Sequence, residues 1–531
     1  MMKTLFTLLF ALGMQSLLHA QLTFQDTYGG NATTEVGRAV VCVSNGYVVL
    51  GTTNTAVQDI VLFKTDLAGN VAWTKSFGGA GKDVAYDMKP TIDGGFIIAG
   101  ETSSFPTSGN DTSNAFLLKV DNSGNVLWSR FYGGNGRDAA YAVTETSDSG
   151  FVATGYTNSF GAGNEDVLIF RVDKMGNQLW KESVGGTGSD FGRGVAATAS
   201  GNAFVITGNT NGFSAAGNIV YLLRVDNIGT LEWSKTYDFF IPTNNRQRIS
   251  YDVLVNGNNE YIVAGTIGKG SIGDAQAFAM STDSTGVVNW CNSYYENSGD
   301  GSAHSIERTA DGGYLLGGTM GNYYPTIIKL DSAGNRVWDK YYSDATFSNK
   351  GFGYAATEDA NGQFITTGYS VLPATTDTAI ILIKSDSVGG TYCNSFGSFM
   401  TGTVGDSVIS TSVTSTTVFG GNTNTISFTS STSLIPASSY CNSGVEENDF
   451  AMMKFALFPN PMSNTATLST EQNIPTGTIF RLYDSFGRVV MEKTIAENAT
   501  EIQRGNLSSG IYFYSVAGKE GVMSSGKFIV E

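Results

Sequence analysis

A phrase that recurs roughly every 50 residues constrains this chain more than any other feature. Each tryptophan stands seven residues after an aspartate, at intervals of 48 to 57 residues: Asp66 and Trp73, Asp121 and Trp128, Asp173 and Trp180, Asp226 and Trp233, Asp283 and Trp290, Asp331 and Trp338. A seventh copy places Asp386 seven residues before Cys393. Self-similarity at such a period is typical of stacked or radial repeat folds, so we expect seven copies of one unit.

Each copy reads as four short strands. An Asp-x-x-Gly phrase, such as DLAGN, is a hairpin turn in which the aspartate caps the backbone and the glycine takes a positive φ. Alternating apolar runs such as AFLLKVD and GFIIAG flank it. A four-stranded sheet cannot bury both faces alone, so the expected fold is all-β, with residues 21–400 as a seven-bladed β-propeller and eight blades as the alternative.

The ends of the repeat region leave its closure open. The segment LTFQDTYGG resembles the phrase that follows each tryptophan, yet no strand precedes it. It is therefore expected either to join the seventh copy or to belong to an eighth blade with residues 406–430. The Thr/Ser-rich segment 401–450 is interpreted as a degenerate blade, a hairpin pad or a stalk that ends in an acidic linker.

The N-terminus and the charge restrict the compartment and the partners. Lys3 precedes an apolar run, and Ala20 is suited to cleavage, so residues 1–20 predict a signal peptide. The net charge of −16 argues against nucleic acid and anionic membrane surfaces as partners. No later apolar run is long enough for a transmembrane segment. An exported chain can oxidise its cysteines, and the shared phrase Tyr-Cys-Asn-Ser favours a Cys393–Cys441 disulfide among three formal pairings.

Residues 451–531 lack the repeat and are expected to form a small β-sandwich of the immunoglobulin-like class. Their motifs, in order and at the chain end, resemble the type A sorting domain of the type IX secretion system. The residues that carry this resemblance, and that it implies as the sorting signal, are Pro459, Asn460, Pro461, Tyr483, Asp484, Gly487, Gly510, Tyr512, Gly526 and Lys527.

The resemblance implies a route of export. The chain would reach the periplasm of a Gram-negative bacterium, bind the type IX translocon through its C-terminal domain, and lose that domain to a sortase-like peptidase. The body would then be secreted or attached to the cell surface. Cleavage is expected in the exposed linker 444–449 or just after it.

Catalytic chemistry has few candidates in the repeats. His304 is the one histidine outside the signal peptide, which disfavours a histidine metal site and a serine triad. Four acidic residues occupy one equivalent place after Gly-Gly, and they are interpreted as loop caps, with a ligand or cation site on one face as the alternative: Glu35, Asp83, Asp138 and Asp190. No cofactor is predicted; calcium is the one candidate, because hard cations prefer oxygen ligands.

Three functions follow from these observations. The leading prediction is a non-enzymatic binding or adhesion protein with a glycan or protein ligand. The second is a polysaccharide hydrolase or lyase that uses carboxylates of the propeller channel, for which Asp300 and His304 lie in an irregular stretch. The third is a structural spacer of the cell surface.

Overall fold

The computed structural model divides the chain into two domains, residues 1–443 and 444–531. It describes residues 23–29, 34–54, 57–105, 113–213, 217–239, 246–268, 275–295, 300–321, 323–342, 351–372, 377–391, 395–396, 400–403, 408–412, 416–419, 422–425, 429–431, 437–442, 456–458, 460–470, 474, 477–484, 489–505, 507–518 and 521–530. All regular elements in these ranges are β-strands. None of the described residues forms a helix that is long and apolar enough to span a bilayer. The predicted signal peptide and the linker 444–449 lie outside the described residues.

The first domain consists of antiparallel sheets that follow the sequence repeats, and short parallel pairings link the first sheet to the seventh, at Thr34 and Thr378, and the fourth to the fifth, at Gly217 and Arg246. Strand β1 (Phe24–Tyr28) comes first, followed in sheet 1 by β2 (Thr34–Val43), β3 (Gly46–Asn54), β4 (Gln58–Thr65) and β5 (Val71–Gly78), and in sheet 2 by β6 (Asp83–Pro90), β7 (Phe96–Thr102), β8 (Asn114–Val120) and β9 (Val126–Gly133). Sheet 3 contains β10 (Asp138–Glu145), β11 (Phe151–Thr157), β12 (Asp166–Val172) and β13 (Gln178–Gly185), and sheet 4 contains β14 (Asp190–Ala197), β15 (Ala203–Thr210), β16 (Gly217–Asp226) and β17 (Leu231–Phe239). Sheet 5 contains β18 (Arg246–Val255), β19 (Tyr261–Gly268), β20 (Gln276–Thr282) and β21 (Val288–Tyr295), sheet 6 contains β22 (Ser302–Arg308), β23 (Tyr314–Met320), β24 (Tyr324–Leu330) and β25 (Arg336–Tyr342), and sheet 7 contains β26 (Gly351–Glu358), β27 (Phe364–Val371) and β28 (Thr378–Ser385).

Strand β1 completes sheet 7. It runs antiparallel to β28, with Phe24 opposite Lys384 and Tyr28 opposite Ile380. Of the two expected partners for the N-terminal segment, the seventh copy is therefore the one observed. Sheet 7 thereby contains one strand from before sheet 1 and three strands from the seventh copy.

Apolar side chains fill the space between each repeat sheet and the next. One cluster joins sheets 1 and 2 through Leu62 and Phe116, and another joins sheets 7 and 1 through Leu382 and Phe63. Further clusters lie between each remaining pair of consecutive sheets. The innermost strand of each sheet also contacts that of the next, including β26 with β2. This arrangement is propeller-like.

The tryptophan repeat has a physical cause. Each indole packs on the hairpin glycine of the following sheet, as Trp290 does on Gly334, where an added Cβ would lie 2.5 Å from the ring. That glycine has a φ of +79°, which glycine adopts without strain. The hairpin aspartate accepts backbone hydrogen bonds as predicted; Asp66 Oδ1 accepts from Ala68 N and Asn70 N, both at 2.9 Å.

A tyrosine near the end of most outer strands ties its sheet to the same hairpin. Tyr132 Oη donates to the carbonyl of Gly176 at 2.8 Å. Tyr28 on β1 donates in the same way to Gly69 at 2.7 Å, which connects sheet 7 to sheet 1. Equivalent bonds join Tyr237 to Gly286, Tyr294 to Gly334 and Tyr342 to Gly389.

The Thr/Ser-rich segment differs from the expected degenerate blade. Its strands do not form a sheet of their own, because each pairs antiparallel with the outer strand of a different repeat sheet, in reverse order around the domain. They are β29 (Ser395–Phe396) on sheet 6, β30 (Met400–Thr403) on sheet 5, β31 (Val408–Ser412) on sheet 4, β32 (Thr416–Phe419) on sheet 3, β33 (Asn422–Thr425) on sheet 2, β34 (Thr429–Ser431) on sheet 1 and β35 (Ala437–Asn442) on sheet 7. We call this segment the belt. It covers the outer edge of every repeat sheet, where unpaired backbone groups would otherwise be exposed.

The second domain contains two antiparallel sheets. One consists of β36 (Ala456–Phe458), β37 (Thr465–Ser469) and β40 (Ala499–Gln503); the other of β38 (Thr478–Tyr483), β39 (Val489–Ile495), β41 (Gly510–Gly518) and β42 (Gly521–Val530). Side chains of both sheets share one apolar core, in which Leu468 and Ile502 meet Phe480 and Phe528.

The tyrosine bonds between sheets give a first prediction. Tyr132→Phe removes the donor to a buried carbonyl and should lower the free energy of unfolding by about 1–2 kcal/mol. Urea unfolding measures this change. Tyr295→Phe is the control, since that hydroxyl has no hydrogen bond among the described residues, and it should leave stability within about 0.5 kcal/mol. Equal effects of the two substitutions would contradict the assigned role.

Candidate functional site

A single residue is bulged in each innermost strand of the repeat sheets. In β2, for example, Gly37 pairs with Gly51 and Ala39 with Leu50, so Arg38 has no partner across the ladder. Such a bulge redirects a side chain. The bulged residues are Arg38, Tyr86, Tyr141, Arg193, Tyr251, His304 and Tyr354, and all of them line one cavity of about 440 Å³.

These side chains form a closed ring, which we call the axial ring. The Arg38 guanidinium carbon lies 5.8 Å from the ring centre of Tyr86 and 4.6 Å from that of Tyr354. The Arg193 guanidinium lies 5.3 Å from Tyr141 and 5.6 Å from Tyr251. Ring centres are 4.8 Å apart for Tyr86 and Tyr141, 4.3 Å for Tyr251 and His304, and 5.0 Å for His304 and Tyr354.

The axial ring carries two positive charges that no carboxylate neutralises directly. Neither Arg38 nor Arg193 forms an ion pair within the described part of the chain. Arg38 Nε is buried without an acceptor there, and Arg193 Nε donates to the neutral Asn209 at 2.8 Å. Burial, together with both arginines, lowers the pKa of His304 to about 3, so its imidazole is neutral.

A layer of charged residues follows the axial ring along the same cavity. Asp87 Oδ2 accepts from Val143 N of the next sheet at 3.0 Å, and Asp252 Oδ2 accepts from Ile306 N at 3.0 Å. Lys89 Nζ lies 3.4 Å from Asp87 Oδ1. Burial raises the pKa of Asp252 and of Glu307, which also lines the cavity.

The four acidic residues singled out in the sequence lie elsewhere, at or near the beginnings of the innermost strands. Asp83, Asp138 and Asp190 are fully buried and Glu35 nearly so. Asp83 Oδ2 accepts from Gly79 N at 2.9 Å, Asp138 Oδ2 from Gly134 N at 2.8 Å, and Asp190 Oδ2 from Gly186 N at 2.7 Å. For these three, the contacts are those of loop caps.

A second carboxylate stands beside two of these caps. An added Cβ at Gly185 would lie 2.1 Å from Asp166 Oδ1 and 2.6 Å from Asp190 Oδ2, and Gly78 separates Asp59 from Asp83 in the same way. Burial first, and Asp190 in part, raises the pKa of Asp166 to about 6. At the equivalent place between sheets 2 and 3, Asn114 replaces the second carboxylate.

A lysine accompanies that replacement. Lys181 Nζ donates to the carbonyl of Gly133 at 3.1 Å, and the charge of Asp138 partly opposes the burial that lowers its pKa to about 8. This junction therefore balances one carboxylate with one ammonium.

No group of three or more His, Cys, Asp or Glu side chains in the described ranges is arranged to hold a metal ion, so calcium remains a candidate that no cluster supports.

The carboxylate pair predicts an inverted pH dependence. Asp166 has a pKa of about 6 in the folded chain and about 4 when unfolded, so its charge destabilises the fold above pH 6 and this cost disappears below pH 4. Asp166→Asn should therefore be more favourable for stability at pH 7.5 than at pH 4.5, by about 1–2 kcal/mol. Denaturant unfolding in the presence of EDTA measures the difference.

Asp173→Asn is the matched control for this pair. Backbone and Asn177 hydrogen bonds lower the pKa of Asp173, so its stabilising charge acts above pH 4 and is lost as the pH falls. This substitution should cost stability at pH 7.5, the opposite sign from Asp166→Asn. A pH-independent effect of Asp166→Asn would contradict the repulsion.

Asp300 and His304, the catalytic candidates of the enzyme hypothesis, have different surroundings. His304 Nε2 is 2.9 Å from Ser302 Oγ, within the axial ring. Asp300 Oδ1 accepts from Ala275 N at 3.0 Å, and its Oδ2 lies 3.3 Å from the Tyr323 hydroxyl. No described contact brings the two together.

Cys42 and Cys291 are free thiols; Cys393 lies outside the described residues, and of Cys441 only the backbone in β35 is described.

The residues of the predicted sorting signal have structural partners where they are described. Asn460 Oδ1 accepts from Ile529 N of the last strand at 2.8 Å, Tyr512 Oη donates to the Ser508 carbonyl at 2.8 Å, and Tyr483 Oη is 3.2 Å from Ser515 Oγ. Pro461 is exposed. Asp484 follows β38 and Gly510 begins β41. Gly526 and Lys527 lie in β42, and Pro459 and Gly487 fall outside the described residues.

The comparisons with known proteins agree with this division of the chain. Residues 456–531 match the family model described as the secretion system C-terminal sorting domain. The chain is therefore a cargo of the type IX secretion system with a C-terminal sorting domain, and it is exported to the cell surface or secreted. No curated protein matches the chain in sequence.

Two solved structures resemble the chain at low similarity. PorZ, an essential surface component of the type IX secretion system of Porphyromonas gingivalis, is 11% identical with a TM-score of 0.35, and the match covers 93% of this chain and 59% of PorZ. The periplasmic gluconolactonase PpgL of Pseudomonas aeruginosa is 10% identical with a TM-score of 0.31, and the match covers 69% of this chain and 99% of PpgL. Neither likeness is close enough to carry an argument about function.

Proposed function

We propose that this protein is a non-enzymatic binding or adhesion protein of the cell surface or of the secreted fraction, and that its ligand occupies the cavity of about 440 Å³ that the axial ring lines. In this proposal the repeat sheets are the blades of a seven-bladed β-propeller, which β1 closes by joining sheet 7. The second domain is a β-sandwich of the immunoglobulin-like class in this proposal, which its two sheets and their shared apolar core support.

The observation that carries the proposal is the axial ring. The repeat keeps its hairpin aspartate and its tryptophan almost unchanged, because the aspartate caps the turn and the tryptophan packs on the following sheet. At the bulged position the copies instead present arginine, tyrosine or histidine to one space. A concave site of some 300–1,000 Å³, with aromatic walls and a few convergent polar groups, is typical of small-ligand binding, and the cavity of about 440 Å³ falls in this range.

The carboxylates of the cavity favour binding over hydrolysis. A polysaccharide hydrolase needs one carboxylic acid to protonate the leaving group and a second carboxylate as nucleophile or base. Asp87, Asp252 and Glu358 each accept a backbone hydrogen bond from a neighbouring sheet, which gives all three a structural role. Glu307 is then the one carboxylate with a raised pKa in this layer that lacks such a described bond.

A loss of binding tests the proposal. The secreted protein, screened on a glycan array and in pull-downs with surface polymers, should retain a ligand. Tyr251→Ala should lower the affinity for that ligand at least about tenfold, because it removes one aromatic side chain of the axial ring. Tyr295→Ala, which alters a half-buried tyrosine outside the cavity, should leave affinity unchanged. Turnover of polysaccharide without a retained ligand would refute the proposal.

For the second domain, the proposed partners are the outer-membrane translocon and a sortase-like peptidase that cleaves within residues 444–449 or just after them. The order of the chain supports this, since the linker separates the belt from the sorting domain.

Deletion of residues 455–531 should hold the protein in the periplasm, because the truncated chain lacks the matched sorting domain. Cell fractionation and surface immunolabelling measure its distribution. A single substitution outside the domain, Tyr295→Phe, is the control and should be exported normally. Normal surface delivery of the truncated chain would contradict the assignment of these residues as the export signal.

A further inference from the structure

We propose that the axial ring binds the carboxylate of a sugar acid, with the guanidinium groups of Arg38 and Arg193 as its cationic contacts. The inference rests on the proposed binding function and specifies the chemistry of the ligand. It begins from the placement of the two arginines, which are the ring's only cationic members. They stand three positions apart one way around the ring and four positions apart the other way, so they flank its opening from nearly opposite sides.

The state of each guanidinium points to a missing anion. Arg38 contacts the faces of Tyr86 and Tyr354, and its buried Nε has no acceptor in the described ranges. Arg193 has one neutral acceptor, Asn209, and otherwise faces aromatic rings. A guanidinium presents a planar set of donors that matches a carboxylate, and desolvated arginines without such a partner are costly. An incoming carboxylate would satisfy donors that the protein leaves open.

The remainder of the cavity suits a hydroxylated ring. The four tyrosines of the axial ring offer flat, partly apolar faces of the kind that pack against the C–H face of a sugar. Beyond them, Asp87, Asp252 and Glu307 line the same cavity. Carboxylates have lone pairs in excess of the backbone bonds that they accept here, so they can take hydrogen bonds from hydroxyl groups.

This polarity selects the ligand class. The cavity is positive at the axial ring and negative in the following layer, where the four carboxylates of Asp87, Asp252, Glu307 and Glu358 outnumber the single ammonium of Lys89. A polyanion would be attracted at one level and repelled at the next. A sugar unit with one carboxylate and several hydroxyl donors, such as a uronic acid, fits both levels, either as a free monosaccharide or as the end of a chain.

Calorimetric titration of the secreted protein with D-glucuronate and with D-glucose tests the inference. Glucuronate should bind, and glucose should bind at least about tenfold more weakly, since one charge-assisted contact is worth about 1.4 kcal/mol or more. Arg38→Gln and Arg193→Gln should each weaken glucuronate about tenfold and leave glucose unchanged. Arg137→Gln, in an exposed loop outside the cavity, is the matched control. An oligouronide of four units tests whether the ligand is a free monosaccharide or the end of a chain. An affinity per molecule similar to that of glucuronate indicates that a chain end is recognised.

The outcomes separate this inference from the function on which it rests. Equal affinity for glucose and glucuronate, with both sensitive to Tyr251→Ala, would overturn the carboxylate contact and keep the cavity as the binding site. Glucuronate binding that survives both arginine substitutions would also overturn it, as would an array ligand that is sensitive to Tyr251→Ala and carries no carboxylate. Absence of any ligand would remove the proposed function itself. If thermal unfolding shows that an arginine variant does not fold, the salt dependence of the unaltered protein decides: a rise in NaCl from about 50 to about 500 mM should weaken glucuronate and spare glucose, and an equal response of both sugars would refute the contact.

Discussion

Each repeat sheet depends on burial of both of its faces between two neighbouring sheets. Strands such as β7, β8 and β11 are buried along their whole length, so neither face is available to water. Each fully buried Leu, Ile or Phe contributes about 1.5–3 kcal/mol through removal of apolar surface, and none of these gains is available to a sheet alone. The repeat units are therefore stable only together. The recurrence of tryptophan on glycine and of tyrosine on a carbonyl follows from this need to fix one sheet on the next.

The bulges separate the scaffold from the candidate site. A residue that pairs across a ladder and packs between sheets cannot vary without affecting both. The bulged residue has no partner across the ladder, because its neighbours on either side complete the pairing, and it is not part of the apolar packing between sheets. Chemistry at this position can thus differ between copies while the fold remains unchanged. The same displacement lets arginine, histidine and tyrosine meet around one axis, at distances that make cation–π and aromatic contacts.

Much of the architecture was readable in the sequence because it is local or periodic. The Asp-x-x-Gly turns, the four strands of each copy and the sorting motifs all depend on residues close together in the chain. The axial ring was missed although its signal was present: Tyr86 and Tyr141 stand three residues after Asp83 and Asp138, as Arg193 does after Asp190. A bulge shifts the alternation of a strand by one residue, so the pattern of apolar residues does not reveal which way this position points. The pairing of Asp166 with Asp190 joins two copies and has no signature within either.

The belt was unpredictable for a different reason. Its strands are short and rich in Thr and Ser, and their partners are outer edges that lie as far away in the chain as Phe24, which is opposite Asn442. Those outer edges exist only once the repeat sheets have folded. Its last strand, β35, lies against β1, which lies against β28. The first strand described and the last strand before the linker thus share one sheet. A force applied to the linker would therefore enter the repeat domain at that sheet. The sheet that holds both β1 and β35 is thus the part of the domain that would first bear a mechanical load.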